Sequence, residues 1–239
     1  MKLLVSVIVP TKNEEKLIRK CLSSLVSQET NSQYEIIAVD SSSTDKTIDI
    51  IKQFPVRLIK TDKKGKSLAR QIGANMAFGD ILIFTEADCV VPNGWLERII
   101  STYDNNPKII GIGGTYRFDS TIWWLRNFSF PIIIGSEYIF RIIFGHHSFR
   151  ATNFSILKKV LREVNGFDVT KRELDDVDLS RRTHRLGRIL FDPNLCVTTS
   201  DRRFKNRTGK FLKEFMVNFF NLIILNRKTT SLVYEDIRT

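Results

Sequence analysis

Through the first 116 residues, short apolar, β-branched runs alternate with segments of helical period, and few folds accommodate that order. Residues 3–9 form an apolar strand-like run, and residues 14–28 place Leu17, Ile18, Cys21, Leu22 and Leu25 on one helical face. Residues 34–39 read as the next strand and residues 44–54 as a helix, with Ile48, Ile51 and Phe54 aligned. Further strands are expected at 56–59, 80–85 and 109–115, with helices at 66–78 and 94–103. This order predicts an α/β domain: a mostly parallel central sheet flanked by helices on both faces. In such sheets ligands bind beyond the carboxyl ends of the strands, so the residues that follow each strand matter most.

Three strand ends carry polar groups. The first is Pro10-Thr11-Lys12-Asn13-Glu14, the second Asp40-Ser41-Ser42-Ser43-Thr44-Asp45, and the third Glu86-Ala87-Asp88. Glu86 and Asp88 directly follow an apolar strand, where both carboxylates can approach a hard divalent ion. Such an ion would neutralise a diphosphate and stabilise it as a leaving group. Asp40 can accept hydrogen bonds from a ribose or a base edge. The serines and Thr44 suit the cap of the next helix, with Asp45 in its first turn. Glu14 also fits a capping box with Thr11. Lys63-Lys64-Gly65-Lys66 opens a helix bearing Arg70. Cations there oppose the helix dipole, and a bound phosphate would offset that cost. Finally, four acids fall within residues 173–178: Glu173, Asp175, Asp176 and Asp178. Carboxylates crowded together raise at least one pKa, which suits a general base.

The net charge of +11 favours anionic partners such as nucleotide diphosphates or phospholipid headgroups. Cys21, Cys89 and Cys196 are far apart in the sequence, without metal or redox spacing, which fits a reducing compartment. The first apolar run is short and meets Pro10 and Lys12, so it reads as a buried strand and not as a secretion signal. Residues 122–145 are aromatic and branched but are interrupted by Arg126, Pro131, Glu137 and Arg141. That argues against a bilayer span. It leaves a segment lying on a membrane surface, or a core or dimer helix. Residues 201–213 are strongly basic and lead into Phe211, Phe215, Phe219 and Phe220. A basic stretch before an apolar helix reads as a membrane-surface element, the favoured reading over an oligomer interface. His146 and His147 have no third metal ligand in view, and His184 reads as structural.

Taken together, these residues resemble the inverting glycosyltransferases of family 2, with the GT-A fold, over about residues 5–190. Ser6-Val7-Ile8-Val9-Pro10-Thr11-Lys12-Asn13-Glu14 resembles the opening strand on which the nucleotide base packs. The segment ending Val39-Asp40 resembles the second strand, whose aspartate contacts uracil or ribose. Lys66-Ser67-Leu68-Ala69-Arg70-Gln71-Ile72-Gly73 resembles the element near the diphosphate, so Lys66 and Arg70 are donor-site candidates. Glu86-Ala87-Asp88 stands where the family has its metal-binding Asp-x-Asp. The resemblance therefore implies Mg²⁺ or Mn²⁺ on Asp88, with Glu86 a second candidate ligand. Asn153, in Ala151-Thr152-Asn153-Phe154-Ser155, falls in a segment resembling the acceptor side and counts among the sugar-nucleotide candidates. Asp175-Asp176 resembles the Glu-Asp motif, whose second acid is the catalytic base. The first acid here is Asp, one methylene shorter than the usual Glu. Asn165 also stands where the family usually has the first of two glycines.

The resemblance implies a metal-dependent transfer from a nucleotide-diphosphate sugar, UDP by default, with inversion. The processive Gln-x-x-Arg-Trp motif is not found, which points to transfer of a single sugar. The expected organisation is a GT-A domain over 1–200, with a nucleotide-sugar half (1–116) and an acceptor half (117–200). A basic, helical extension covers 201–239. The expected partners are a sugar-nucleotide donor and a lipid-linked or glycan acceptor, with peripheral attachment on the cytoplasmic face of a membrane. Rival readings are weaker. A nucleotidyltransferase needs a glycine-rich phosphate loop, and residues 10–20 hold no glycine. A nucleic-acid-binding protein fits the charge, but no zinc-finger or RNA-recognition signature is found, so no nucleic-acid partner is expected. The presence of Asp40, Asp88 and Asp176 together argues against a non-catalytic sugar-nucleotide binder.

Overall fold

The structure, a computed structural model, describes residues 4–171 and 174–202. The rest of the expected extension, residues 203–239, and Glu173 of the acidic run lie outside the described residues.

Eight strands form one sheet: β1 (Val5–Thr11), β2 (Tyr34–Asp40), β3 (Arg57–Lys60), β4 (Ile81–Thr85), β5 (Cys89–Val90), β6 (Ile109–Asp119), β7 (Asn153–Leu157) and β8 (Arg188–Ser200). Their order is β3-β2-β1-β4-β7-β6-β8-β5. Among the described residues seven helices accompany them: α1 (Ile18–Val26), α2 (Thr47–Ile51), α3 (Lys66–Met76), α4 (Trp95–Asn105), α5 (Trp123–Phe144), α6 (Lys158–Glu163) and α7 (Asp175–Thr183). The α/β fold is as expected, but the sheet is mixed. Strands β3, β2, β1 and β4 are parallel, whereas β7 runs against both β4 and β6. The reversal follows from the path of the chain. Asn153 pairs with Thr85, so β7 starts at the edge where β4 ends. The preceding segment stays at that edge, and β7 must run back.

Alternation along the parallel strands separates two core layers. Val5, Val7, Val9, Ile81 and Ile83 pack with α1 and α4, including the buried Trp95. Ile8, Leu82 and Phe84 pack on the other face with Phe154, and the Phe84 and Phe154 rings stack at 4.8 Å. Burying each such side chain contributes about 1.5–3 kcal/mol. Helix α3 lies close on β1 because Gly73 has no side chain. A Cβ there would sit 2.5 Å from Ile8 Cγ2. That contact holds Arg70, one turn earlier, over the carboxyl edge of the sheet.

The aromatic segment 122–145, expected to lie on a membrane surface or to form a core or dimer helix, is helix α5. It is a continuous 22-residue helix with Pro131 inside. Leu125, Ser129, Ile133, Glu137 and Phe140 form its buried stripe. The opposite face leaves Trp123 70% and Ile142 83% exposed, with Ile132, Ile139 and Ile143 also open. By length and composition α5 could cross a bilayer, despite its charges. The buried stripe nonetheless ties one full face of it to the domain.

Candidate active site

The parallel register sets Thr11 opposite Asp40, so β1 and β2 end together, and β4 ends beside them in the same direction. Pro10, Thr11, Asp40, Glu86, Ala87 and Asp88 therefore share one sheet edge.

Asp40 ties this edge together. It is 1% exposed, and its carboxylate accepts from the Ser43 backbone N–H at 2.9 Å, the Ser43 hydroxyl at 2.5 Å and the Thr11 hydroxyl at 3.3 Å. Ser43 thus serves Asp40, and Ser42 donates to the Thr61 carbonyl, so neither caps the next helix. Asp45 lies just ahead of α2, outside its first turn, and accepts from the Thr47 N–H at 3.0 Å. The capping box of Thr11 with Glu14 does not form either. Thr11 turns to β2, and the Glu14 side chain goes to Arg202.

Glu86 and Asp88 face different cations. Glu86 Oε1 accepts from Lys66 Nζ at 3.1 Å and from Arg70 Nη2 at 3.3 Å. Asp88 Oδ2 lies 3.0 Å from Arg202 Nη2. Between them Ala87 points into the core. Arg70 is 1% exposed, and its Nη1 donates to both oxygens of Asp175 at 2.9 and 2.7 Å. Burial would lower the Arg70 pKa, but the charges of Asp175, Glu86 and Asp176 outweigh it and raise the value. Arg70 therefore links the β4 edge to the start of α7.

Asp176 follows on that helix. Its Oδ2 accepts from the Ala151 N–H at 2.5 Å and its Oδ1 from the Val177 N–H at 2.9 Å. Burial, and next the Asp175 carboxylate, push its pKa up to about 6, against the pull of Arg70. A carboxylate so raised can accept a proton near neutral pH. Leu174 enters α7 with φ 57°, a left-handed turn that brings Asp175 and Asp176 to the sheet edge. Asp178 turns away to Lys171 and Arg182.

Asn153 does not reach this edge with its side chain. It is fully buried, donates to the Thr115 and Leu195 carbonyls at 3.0 and 2.7 Å, and accepts from Trp95 Nε1 at 3.0 Å. It braces β7 against β6 and β8. The two adjacent histidines also part. His146 stacks on His184 at 4.1 Å, while His147 Nδ1 meets Glu137 Oε1 at 3.2 Å.

Two contributors were not legible as such. Arg202, at the end of β8, donates from both terminal nitrogens to Glu14 at 2.6 and 2.7 Å. Glu137 of α5 is fully buried and accepts from the Ser148 N–H and hydroxyl, at 2.7 and 2.6 Å, and from Arg150 at 3.1 Å. Burial would push Glu137 up, but the hydrogen bonds from His147 and Ser148 and the Arg150 charge hold it low. A lone acid in an apolar helix was the available signal. Glu137 fixes the 146–150 loop, whose next residue, Ala151, holds Asp176.

The donor set fits a divalent ion of the Mg²⁺ or Mn²⁺ kind. The Asp88 carboxylate already carries a positive group, the Arg202 guanidinium, and Glu14 flanks the same group. Such ions are commonly held by one or two carboxylates, with substrate phosphates completing the shell. Among the described residues no three His, Cys, Asp or Glu side chains converge at ligand spacing. An ion on Asp88 would therefore share its shell with donor oxygens. Glu86 is instead engaged by Lys66 and Arg70.

A mixed α/β sheet with acids and cations gathered along its carboxyl edge is the GT-A arrangement. The profile described as glycosyl transferase family 2 matches residues 6–164, and the chain belongs to that family. It is 37% identical over 121 residues to the glycosyltransferase AglE of Haloferax volcanii, covering 48% of this chain and 40% of that protein. It is 34% identical over 122 residues to a dolichyl N-acetyl-α-D-glucosaminyl phosphate 3-β-D-2,3-diacetamido-2,3-dideoxy-β-D-glucuronosyltransferase of Methanococcus voltae, covering 46% of this chain and 38% of the relative. The chain thus spans about two fifths of the length of these relatives. Among solved structures, the mannosyltransferase PcManGT of Pyrobaculum calidifontis, in complex with GDP-Man and Mn²⁺, superposes with a TM-score of 0.73 at 20% identity, covering 96% of this chain and 66% of that one.

Proposed function

We propose that this chain transfers a sugar from a nucleotide-diphosphate donor to an acceptor hydroxyl or phosphate oxygen in one inverting displacement. The observation that carries this reading is Asp176: a buried carboxylate, pKa about 6, joined through Asp175 and Arg70 to the acids of the β4 edge. Asp40, Pro10 and Thr11 hold the nucleoside at the ends of β1 and β2. Asp88 would hold a divalent ion together with the donor's phosphate oxygens. Bound there, that ion offsets the negative charge of the departing diphosphate. Lys66 and Arg70 add positive charge beside it. Where the acceptor oxygen is a hydroxyl, Asp176 takes its proton. That oxygen bonds to the anomeric carbon as the sugar–diphosphate bond breaks on the opposite face, and the electron pair leaves on the nucleotide.

The pH dependence follows from the raised pKa. Asp176 works ionised, so kcat/KM rises with pH through about pH 6 and is level above it. The accompanying effect on stability has the opposite sense. The folded pKa lies above the ordinary value of 3.8, so ionised Asp176 opposes folding above about pH 6. That penalty fades as the pH falls toward the unfolded value. A steady-state profile measured with saturating metal checks the first point. A profile flat down to about pH 4.5 would remove Asp176 as the base.

A lipid-linked acceptor suits the exposed face of α5. One face of the helix is held to the domain through Glu137, and the other presents Trp123, Ile132, Ile139 and Ile142. Such a helix lies in the interface plane of a bilayer. The Methanococcus voltae relative is named for a dolichyl N-acetyl-α-D-glucosaminyl phosphate substrate, which supports the same reading. Replacing Ile139 and Ile142 with Asp is expected to lower binding to vesicles containing anionic phospholipid by about tenfold or more. Flotation measures it, and unchanged flotation would count against the membrane face.

A further inference from the structure

Asp88 and Glu14 expose only 4% and 5% of their side chains, and one guanidinium answers both. Arg202 grips Glu14 with two parallel hydrogen bonds and reaches Asp88 with the nitrogen nearer to it. Two shielded carboxylates so close together need a cation, because an uncompensated buried charge is strongly destabilising. Arg202 supplies it from a side chain that is itself 24% exposed, the most open of the three.

The backbone behind that side chain is held in place. Thr199 pairs with Cys89 across β8 and β5. Asp201, 3% exposed, accepts from the Ser120 hydroxyl at 2.6 Å. The guanidinium therefore sits at the end of a long side chain that starts from an anchored point. We propose that Arg202 is the resident counter-cation of Asp88 and Glu14, and that it transfers to the donor's diphosphate when a divalent ion takes Asp88. This rests on the reading of Asp88 as the metal ligand at the diphosphate.

The physical reasoning is exclusion followed by capture. A divalent ion on Asp88 Oδ2 and a guanidinium 3.0 Å from the same oxygen would repel each other at close range. Metal entry without a nucleotide must displace Arg202 and leave it without its Asp88 partner. Entry together with a diphosphate offers the guanidinium new oxygens, which its planar fork fits in bidentate fashion. Arg202 thereby makes metal binding and donor binding depend on each other, and holds the ion weakly when no donor is present.

The test is a titration of the whole chain with Mn²⁺, following the paramagnetic resonance of the free ion, first alone and then with saturating UDP or GDP. Wild type, Arg202→Ala, Arg202→Lys and Asp88→Asn are compared, with thermal melts to confirm folding. Without nucleotide, Arg202→Ala is expected to bind Mn²⁺ about tenfold more tightly than wild type, and Arg202→Lys to stay near wild type. With Mn²⁺ saturating, Arg202→Ala is expected to bind the nucleotide about tenfold more weakly. Unchanged or weaker Mn²⁺ binding by Arg202→Ala overturns the proposal. Tighter Mn²⁺ binding with unchanged nucleotide affinity overturns the transfer to diphosphate. If Asp88→Asn binds Mn²⁺ as wild type does, the underlying assignment of Asp88 fails and the proposal falls with it.

Discussion

Asp176→Asn lowers kcat by about 10²–10⁴-fold, the range ordinarily supplied by a positioned general base. The substitution keeps the shape of the side chain, and its carbonyl can still accept from the Ala151 N–H, the 2.5 Å contact that orients the group. It removes the proton-accepting ability and the negative charge beside Asp175. Donor affinity is expected to stay within about threefold, since the proposed mechanism assigns the nucleoside and diphosphate to Asp40, Arg70 and Asp88. The melting temperature is expected to move by only about 2–4 °C, because the loss of a strained charge offsets an imperfect hydrogen bond. The variant's remaining activity should lack the rise through about pH 6. Single-turnover kinetics at saturating donor separate the chemical step from binding. A variant with wild-type turnover would move the base elsewhere in the site.

Arg70→Met destabilises the fold by about 3–5 kcal/mol, the cost of leaving buried carboxylates without their cation. Arg70 is 1% exposed and answers both Asp175 and Glu86. Methionine fills much of the volume and carries no charge, so the loss is electrostatic more than steric. Lys66 still reaches Glu86, but Asp175 loses the group that holds both its oxygens. Restoring neutrality with Asp175→Asn in the same chain should recover much of the loss, since the two sites share one interaction. Urea denaturation of the four members of this cycle measures the coupling. A loss below about 1 kcal/mol for Arg70→Met would mean that water, and not Arg70, carries those charges.

The first half of the fold was legible because its signals are local. The β1, β2 and β4 runs are apolar on both faces, as strands buried in a sheet core must be, and α1, α3 and α4 show one apolar stripe each. The second half was not. β7 is five residues long, and β8 carries Pro193 and exposed positions through an irregular pairing with β6. Neither shows a clean period, and the reversal of β7 depends on where α5 leaves the chain. At the site, Asp40, Asp88 and Asp176 stood out because each ends or closely follows a strand or opens a helix. Their companions come from far along the chain. Arg70 meets Asp175 across 105 positions and Arg202 meets Glu14 across 188, pairings that no spacing rule connects. Asn153 illustrates the converse. Its place in a motif suggested a ligand contact, whereas its amide fills a hydrogen-bonding gap between three strands and α4.

The central claim is that the carboxyl edge of this sheet binds a nucleotide-diphosphate sugar through a divalent ion on Asp88. Calorimetric titration of the chain with UDP, UDP-sugars and GDP-sugars, with and without Mn²⁺, tests it directly, alongside Asp88→Ala. The account predicts metal-dependent binding of one nucleotide class, weakened by at least about tenfold in the variant. Binding of none of these nucleotides, or binding that ignores both the metal and Asp88, would contradict it.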